Sequence, residues 1–163
     1  MKGLELVTAK YTFVAPLKIG ASLGPKNSSA LEHALEKYGL AVGTAFQIQD
    51  DILGLFGDPE DMGKPVGNDV REGKKTLLLQ KAYQLAGKND RQFLADVCGR
   101  ELQAGELEQV QSIVKETGSL AYSQKLAEKY IAEGTAALGE LDQKSAEVGV
   151  LKELAEFVVG RKK

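Results

Sequence analysis

FQIQDDILGLFGDPEDMGKPVGNDVREGKKT, residues 46–76, contains the end of one structural element and the loop that follows it. Upstream of it, Leu31, Leu35, Tyr38, Val42, Ala45 and Phe46 recur at threes and fours, and the pattern runs on through 52–56. That spacing predicts one long amphipathic helix ending near Phe56. Inside this helix two aspartates, Asp50 and Asp51, stand side by side. Aspartate is a poor residue for a helix interior, and adjacent carboxylates repel each other. After Phe56 the periodicity stops, and the chain becomes rich in glycine, acid and base until it resumes at Lys75. A long irregular segment in a helical chain is usually functional or disordered. Gly57, Pro59, Gly63, Pro65, Gly67 and Gly73 suit a backbone that bends around something.

The rest of the chain reads as helix as well. Residues 4–23 are helical in pattern, with Pro16 expected to kink or break them. Gly24-Pro25-Lys26-Asn27 is a turn, and Ser29 with Glu32 three residues later forms a capping-box pattern that opens the long helix. Gly39 and Gly43, four apart within it, allow another helix or a ligand chain to approach closely. Further helical runs are expected over 77–86, 91–98, 107–116, 120–138 and 151–159, with Gly87-Lys88-Asn89-Asp90 and Thr117-Gly118 at joints. Neither an alternating strand pattern nor an internal repeat is evident. The expected class is all-α, a single helical domain over 1–163 with a loop at about 57–75.

Composition narrows the function classes. The chain has 163 residues, 43% apolar and 27% charged, with a net charge of −2. That balance gives no electrostatic case for nucleic acid or an anionic membrane. One cysteine, Cys98, excludes an internal disulfide and fits a reducing compartment. No apolar run approaches a membrane span and no signal peptide is visible, so the expected location is cytoplasmic. Cys98 is expected as a packed thiol, His33 as a surface or capping residue, and Tyr83, Tyr122 and Tyr130 as packing between helices.

On a helix Gln47, Asp50 and Asp51 share one side, and Gly54 leaves that side open one turn on. Paired carboxylates followed by lysines on a loop suit a diphosphate held through Mg²⁺: carboxylates and waters hold the metal, and lysines neutralise the remaining phosphate charge. Composition leaves a second reading open, in which the pair is a solvated helix face and the loop a linker.

The ordered string Phe46-Gln47-Ile48-Gln49-Asp50-Asp51-Ile52-Leu53-Gly54, then Gly57-Asp58-Pro59, Gly63-Lys64-Pro65, Gly67-Asn68-Asp69 and Gly73-Lys74-Lys75-Thr76, resembles the second aspartate-rich region of the trans-isoprenyl diphosphate synthases. Residues 8–13 and 16–21 resemble the helix around that family's Lys-Thr motif, and 157–162 its ending. The resemblance covers essentially the whole chain but only the second half of a family member. It implies a helical bundle of the isoprenoid synthase type, here truncated to its C-terminal half. The activity it implies is that of a short-chain trans-prenyltransferase, making farnesyl or geranylgeranyl diphosphate from an allylic diphosphate and isopentenyl diphosphate. In isoprenoid biosynthesis such enzymes ionise the allylic diphosphate with Mg²⁺ as cofactor. By the same resemblance Asp50 and Asp51 are metal-bridging carboxylates and Gln47 lies beside the reacting carbons. Phe46 lines the isopentenyl site, Thr8, Lys64 and Lys74 bind diphosphate, and Asp69 helps the loop.

Three departures accompany it. Gly54 stands where many members have a third aspartate. Val7 takes the place of the motif's lysine, and Lys10, one turn on, is out of register with it. The chain contains a single Asp-Asp pair, so the first aspartate-rich cluster of the family has no counterpart. The expectation is a chain that is inactive alone, a homo-oligomer or one half of a split enzyme. The other reading is a non-catalytic, diphosphate-binding partner subunit.

Overall fold

The computed structural model describes residues 9–25, 28–58 and 65–160. These are all-α, with no strand among them. In chain order a π-helical turn, Lys10–Val14, leads into α1 (Ala15–Leu23), followed by α2 (Ser29–Phe56), α3 (Asn68–Arg71), α4 (Leu77–Leu85), α5 (Lys88–Val97), α6 (Glu106–Glu116) and α7 (Ser119–Ala137). A 3₁₀ turn, Leu138–Glu140, then precedes α8 (Ala146–Gly160).

Two local details differ from the expectation. The interruption foreseen at Pro16 lies upstream, as the π-helical turn, and the helix resumes without a break at Ala15. Proline lacks the N–H and crowds the carbonyl four residues back, and a wider turn there relieves both. The long helix is capped one residue earlier than the capping-box pattern suggests: the Ser28 hydroxyl accepts the Leu31 N–H at 3.2 Å, which makes Ser28 the cap and Ser29 the first helical residue.

Internal packing divides the described residues into two compact units. The first draws on Met1–Gln49 and Leu126–Arg161. Its core row on α2 is Leu35, Tyr38, Val42, Ala45 and Ile48, all buried. Gly39 and Gly43 answer the expectation of close approach, and what approaches is a helix. A Cβ on Gly39 would meet Val14 Cγ2 at 2.9 Å, and one on Gly43 would meet Ala9 Cβ at 2.7 Å and Ala9 Cα at 2.8 Å. Gly134 of α7 lies against α2 in the same way: a Cβ there would meet Val42 Cγ2 at 3.0 Å.

Tyr38 is fully buried, and its hydroxyl donates to the Leu151 carbonyl at 2.6 Å, tying α8 to α2. Burial pushes its phenol up to about 12, from an ordinary value of about 10. A raised folded-state pKa means stability that is complete below the unfolded value and is lost as pH rises through the folded one. Stability is therefore expected to fall between about pH 10 and about pH 12, by on the order of 3 kcal/mol at about 1.36 kcal/mol per unit. Tyr38→Phe should abolish that alkaline loss while costing about 1 kcal/mol at neutral pH. Urea titrations at pH 7 and over pH 10–12 check both.

The second unit contains the described residues of Asp50–Lys125, where α4, α5 and α6 pack on one another. Leu78, Ala82, Val97, Val110 and Val114 are its most buried apolar side chains. The Thr76 hydroxyl caps α4 by accepting the Leu79 N–H at 3.2 Å. In the buried interior Ser119 donates to the Leu78 carbonyl at 2.6 Å. Ser123 is equally buried, and its hydroxyl has no hydrogen-bond partner among the described residues. Its desolvation is uncompensated, so Ser123→Ala is expected to raise stability by up to about 1 kcal/mol, read as a higher thermal midpoint.

Three packing expectations for this unit are corrected. Cys98 is exposed, because α5 ends at Val97 and the thiol sits on the cap residue beyond the helix face. Tyr83 and Tyr122 are about half exposed, each with one ring face under a cation: Arg91 lies over Tyr83 and Lys81 over Tyr122. His33 lies on the surface as expected.

Candidate functional site

Asp50 and Asp51 lie in the last two turns of α2. Asp50 is half-buried, while Asp51 is buried, with 9% of its surface exposed. A carboxylate that far from water needs compensation from hydrogen bonds or charge. Beyond Phe56 the chain leaves the helix and then returns to it: the Gly67 N–H donates to the Gly54 carbonyl at 2.8 Å. Gly67 has a φ of 81°, and a Cβ there would meet Leu107 Cδ1 at 2.7 Å, so this return requires glycine.

The return sets α3 and its Asp69 against the end of α2. A Cβ on Gly54 would lie 3.2 Å from Asp69 Oδ2. Asp51, Gly54, Asp69 and Thr76 line one narrow crevice, together with Val70 and Leu78. The absence of a third aspartate at position 54 thus has a physical counterpart, since the space beside Gly54 holds the carboxylate of Asp69. Sequence reasoning placed Asp69 only as a loop helper. Its signal was the pairing of a glycine at 54 with the Gly67-Asn68-Asp69 turn.

Within this loop α3 is a one-turn helix in a segment expected to be irregular. It ends so that the Lys74 N–H donates to the Asp69 carbonyl at 2.9 Å. The Lys74 ammonium lies 2.7 Å from Asp69 Oδ1 and 2.9 Å from Glu72 Oε2. Those hydrogen bonds, to Asp69 first and Glu72 second, raise the Lys74 pKa above its ordinary value and keep it cationic.

Of the other expected site residues, Gln47 and Phe46 lie on α2 in the first unit, both half-buried. The Phe46 ring sits 5.5 Å from that of Phe13 at 56°, a tilted aromatic pair. Gln47 precedes Asp50 by one helical turn. Thr8, Val7 and Lys64 lie outside the described residues. The structure therefore gathers Asp51 with Asp69, and Lys74 through Asp69, at one end of α2.

Among the described residues no three His, Cys, Asp or Glu side chains converge as a metal cage. What the helix end offers a metal is an adjacent pair of carboxylates, Asp50 and Asp51. That suits Mg²⁺, which keeps several waters and is typically held by one or two carboxylates plus phosphate oxygens. It does not suit Ca²⁺ or structural Zn²⁺, which take most of their ligands from protein.

The family model for polyprenyl synthetase matches residues 2–117. A geranylgeranyl diphosphate synthase of Sulfolobus acidocaldarius is 37% identical over 164 residues, covering 98% of this chain and 49% of that protein. A geranylfarnesyl diphosphate synthase of Aeropyrum pernix is 36% identical, covering 91% of this chain and 46% of that protein. Among solved structures, the geranylgeranyl pyrophosphate synthase of Corynebacterium glutamicum, complexed with isoprenyl diphosphate and magnesium, is similar with a TM-score of 0.88 and 34% identity. That match covers 94% of this chain and 44% of the synthase. The chain spans about half the length of the relatives it matches.

Proposed function

This chain belongs to the polyprenyl synthetase family, and from that premise we propose that it forms the Mg²⁺- and diphosphate-binding wall of a short-chain trans-prenyltransferase site. The observation that carries this reading is the gathering of Asp51, Asp69 and Lys74 at the end of α2, beside Asp50. The substrates proposed are an allylic diphosphate and isopentenyl diphosphate, and the product is an allylic diphosphate one isoprene unit longer.

In this reading Asp50 and Asp51 hold Mg²⁺. When bound, the metal would supply positive charge that stabilises the diphosphate as a leaving group. Lys64, Lys74 and Thr8 donate hydrogen bonds to the remaining phosphate oxygens, so the negative charge that grows as the carbon–oxygen bond breaks is met by fixed donors. Lys74 starts from its Asp69 and Glu72 partners and turns part of its bonding to the diphosphate. Asp69 is then left beside Gly54, facing the same crevice as Asp51. Gln47 lies beside the cationic carbon, and Phe46 gives the incoming alkene an apolar wall. The alkene of isopentenyl diphosphate forms the new carbon–carbon bond, and loss of a proton restores a double bond.

The chain contains one Asp-Asp pair. Our reading is that one pair supports binding but not turnover, which needs a second acidic cluster from another chain or another half. The second reading, a non-catalytic partner subunit, is favoured by that single pair and by Val7 at the expected lysine position. Incubating the purified chain with labelled isopentenyl diphosphate, an allylic diphosphate and Mg²⁺ should give no elongated product. Turnover restored by adding a family half that carries the first acidic cluster supports the enzyme reading. Elongation by the pure chain would overturn the claim that one acidic pair does not support turnover.

A further inference from the structure

A groove of about 480 Å³ runs between α4 and α5, wholly within the second unit. Its volume lies within the roughly 300–1,000 Å³ typical of small-ligand pockets. The walls are apolar: Leu79 and Tyr83 from α4, Leu94 and Val97 from α5. Along α4 the lining residues Leu79, Gln80, Tyr83 and Gln84 recur at threes and fours, so the groove follows one face of that helix, with Lys75 just before its cap.

The charge in the lining is one-sided. The chain carries 23 acids against 21 bases, yet the charged residues of this lining are two lysines, Lys74 and Lys75, with no acid among them. Both lie at one end, beside the N-terminus of α4, whose dipole adds to their positive charge. Lys74 is shared with Asp69 and Glu72, whereas Lys75 forms no ion pair among the described residues. Cys98 lies at the same end, because the next residue, Gly99, donates its N–H to the Val70 carbonyl at 2.8 Å and packs against Gly73.

We propose that this groove is a binding site for a single-chain amphipathic anion, such as a long-chain alkyl or prenyl phosphate, with its head at Lys75 and its tail between α4 and α5. A cationic mouth leading to an apolar trough is complementary to that one class. A neutral lipid leaves Lys75 unanswered, and a cationic amphiphile is repelled by it. Neither Asp50 nor Asp51 lines the groove, and binding there needs no Mg²⁺.

The single cysteine makes occupancy measurable. Alkylation of Cys98 by a fluorescent maleimide is followed with and without dodecyl phosphate, in EDTA and below the micelle concentration. Dodecyl phosphate is expected to slow alkylation at least fivefold. Dodecanol, dodecyltrimethylammonium and phosphatidylglycerol vesicles should leave the rate within twofold of the control. Ala95→Trp, at an exposed position that lines the groove, should abolish the protection, as should Gln84→Trp where the first variant folds poorly. Lys75→Gln should weaken it. Asp50→Ala with Asp51→Ala should retain it in full, which separates this binding from the proposed Mg²⁺-dependent binding at the two carboxylates. Absence of protection by dodecyl phosphate would overturn the proposal, and so would equal protection by the cationic detergent or by vesicles.

Discussion

Replacing Asp50 and Asp51 together by alanine is expected to lower Mg²⁺-dependent affinity for an allylic diphosphate by about 100-fold or more. The magnitude follows from losing two charge-assisted contacts worth about 1.5–3 kcal/mol each, at about 1.4 kcal/mol per factor of ten. Alanine is the better helix residue by a few tenths of a kcal/mol per site, so α2 should persist and circular dichroism should stay helical. Titration calorimetry in Mg²⁺ reads the affinity. A double variant that binds as tightly as the parent contradicts the assignment of these carboxylates to the metal. Asp50→Asn with Asp51→Asn keeps the shape and removes the charge, and it should behave like the alanine pair.

The second large effect is structural. Gly43→Ala is expected to destabilise the first unit by about 1–3 kcal/mol, the usual cost of overpacking a tight interface. The added methyl would lie 2.7 Å from Ala9 Cβ and 2.8 Å from Ala9 Cα. The second contact is backbone and cannot rotate away, so two helices must separate. Helix propensity favours the substitution by about 1 kcal/mol but is outweighed by that separation. Gly20→Ala in α1 is the control: a Cβ there meets nothing within 4 Å. It should gain roughly 0.5–1 kcal/mol from propensity alone. Denaturant midpoints that move in opposite directions for the two variants check the contrast.

Most of the helices were legible because their apolar residues keep a strict three-and-four spacing. Leu35, Tyr38, Val42 and Ala45 announce the buried face of α2 without knowledge of its partners. Gly39 and Gly43 were legible as a place of close approach, though not as to what approaches, since a small residue records the space and not its occupant. Ends and exceptions were less visible. The π-helical turn before Pro16 is a backbone adjustment shared over several residues, and no single side chain encodes it. Cys98 read as core because Val97 beside it is core, and only the end of α5 turns the thiol outward.

Within the candidate site, Asp50, Asp51 and Lys74 were singled out from an ordered motif. Asp69 gained its place beside Gly54 only through the return of the loop at Gly67, a tertiary hydrogen bond. The groove between α4 and α5 was invisible in the sequence, since Leu79, Tyr83 and Leu94 are ordinary core-type residues until two helices leave a trough between them.

The central claim is that one end of α2, with its loop, binds diphosphate through Mg²⁺. The most direct test is calorimetric titration of the folded, purified chain with an allylic diphosphate, first in Mg²⁺ and then in EDTA. The expected result is saturable binding in Mg²⁺ that disappears in EDTA. Binding of equal strength in EDTA, or none in Mg²⁺, would contradict it.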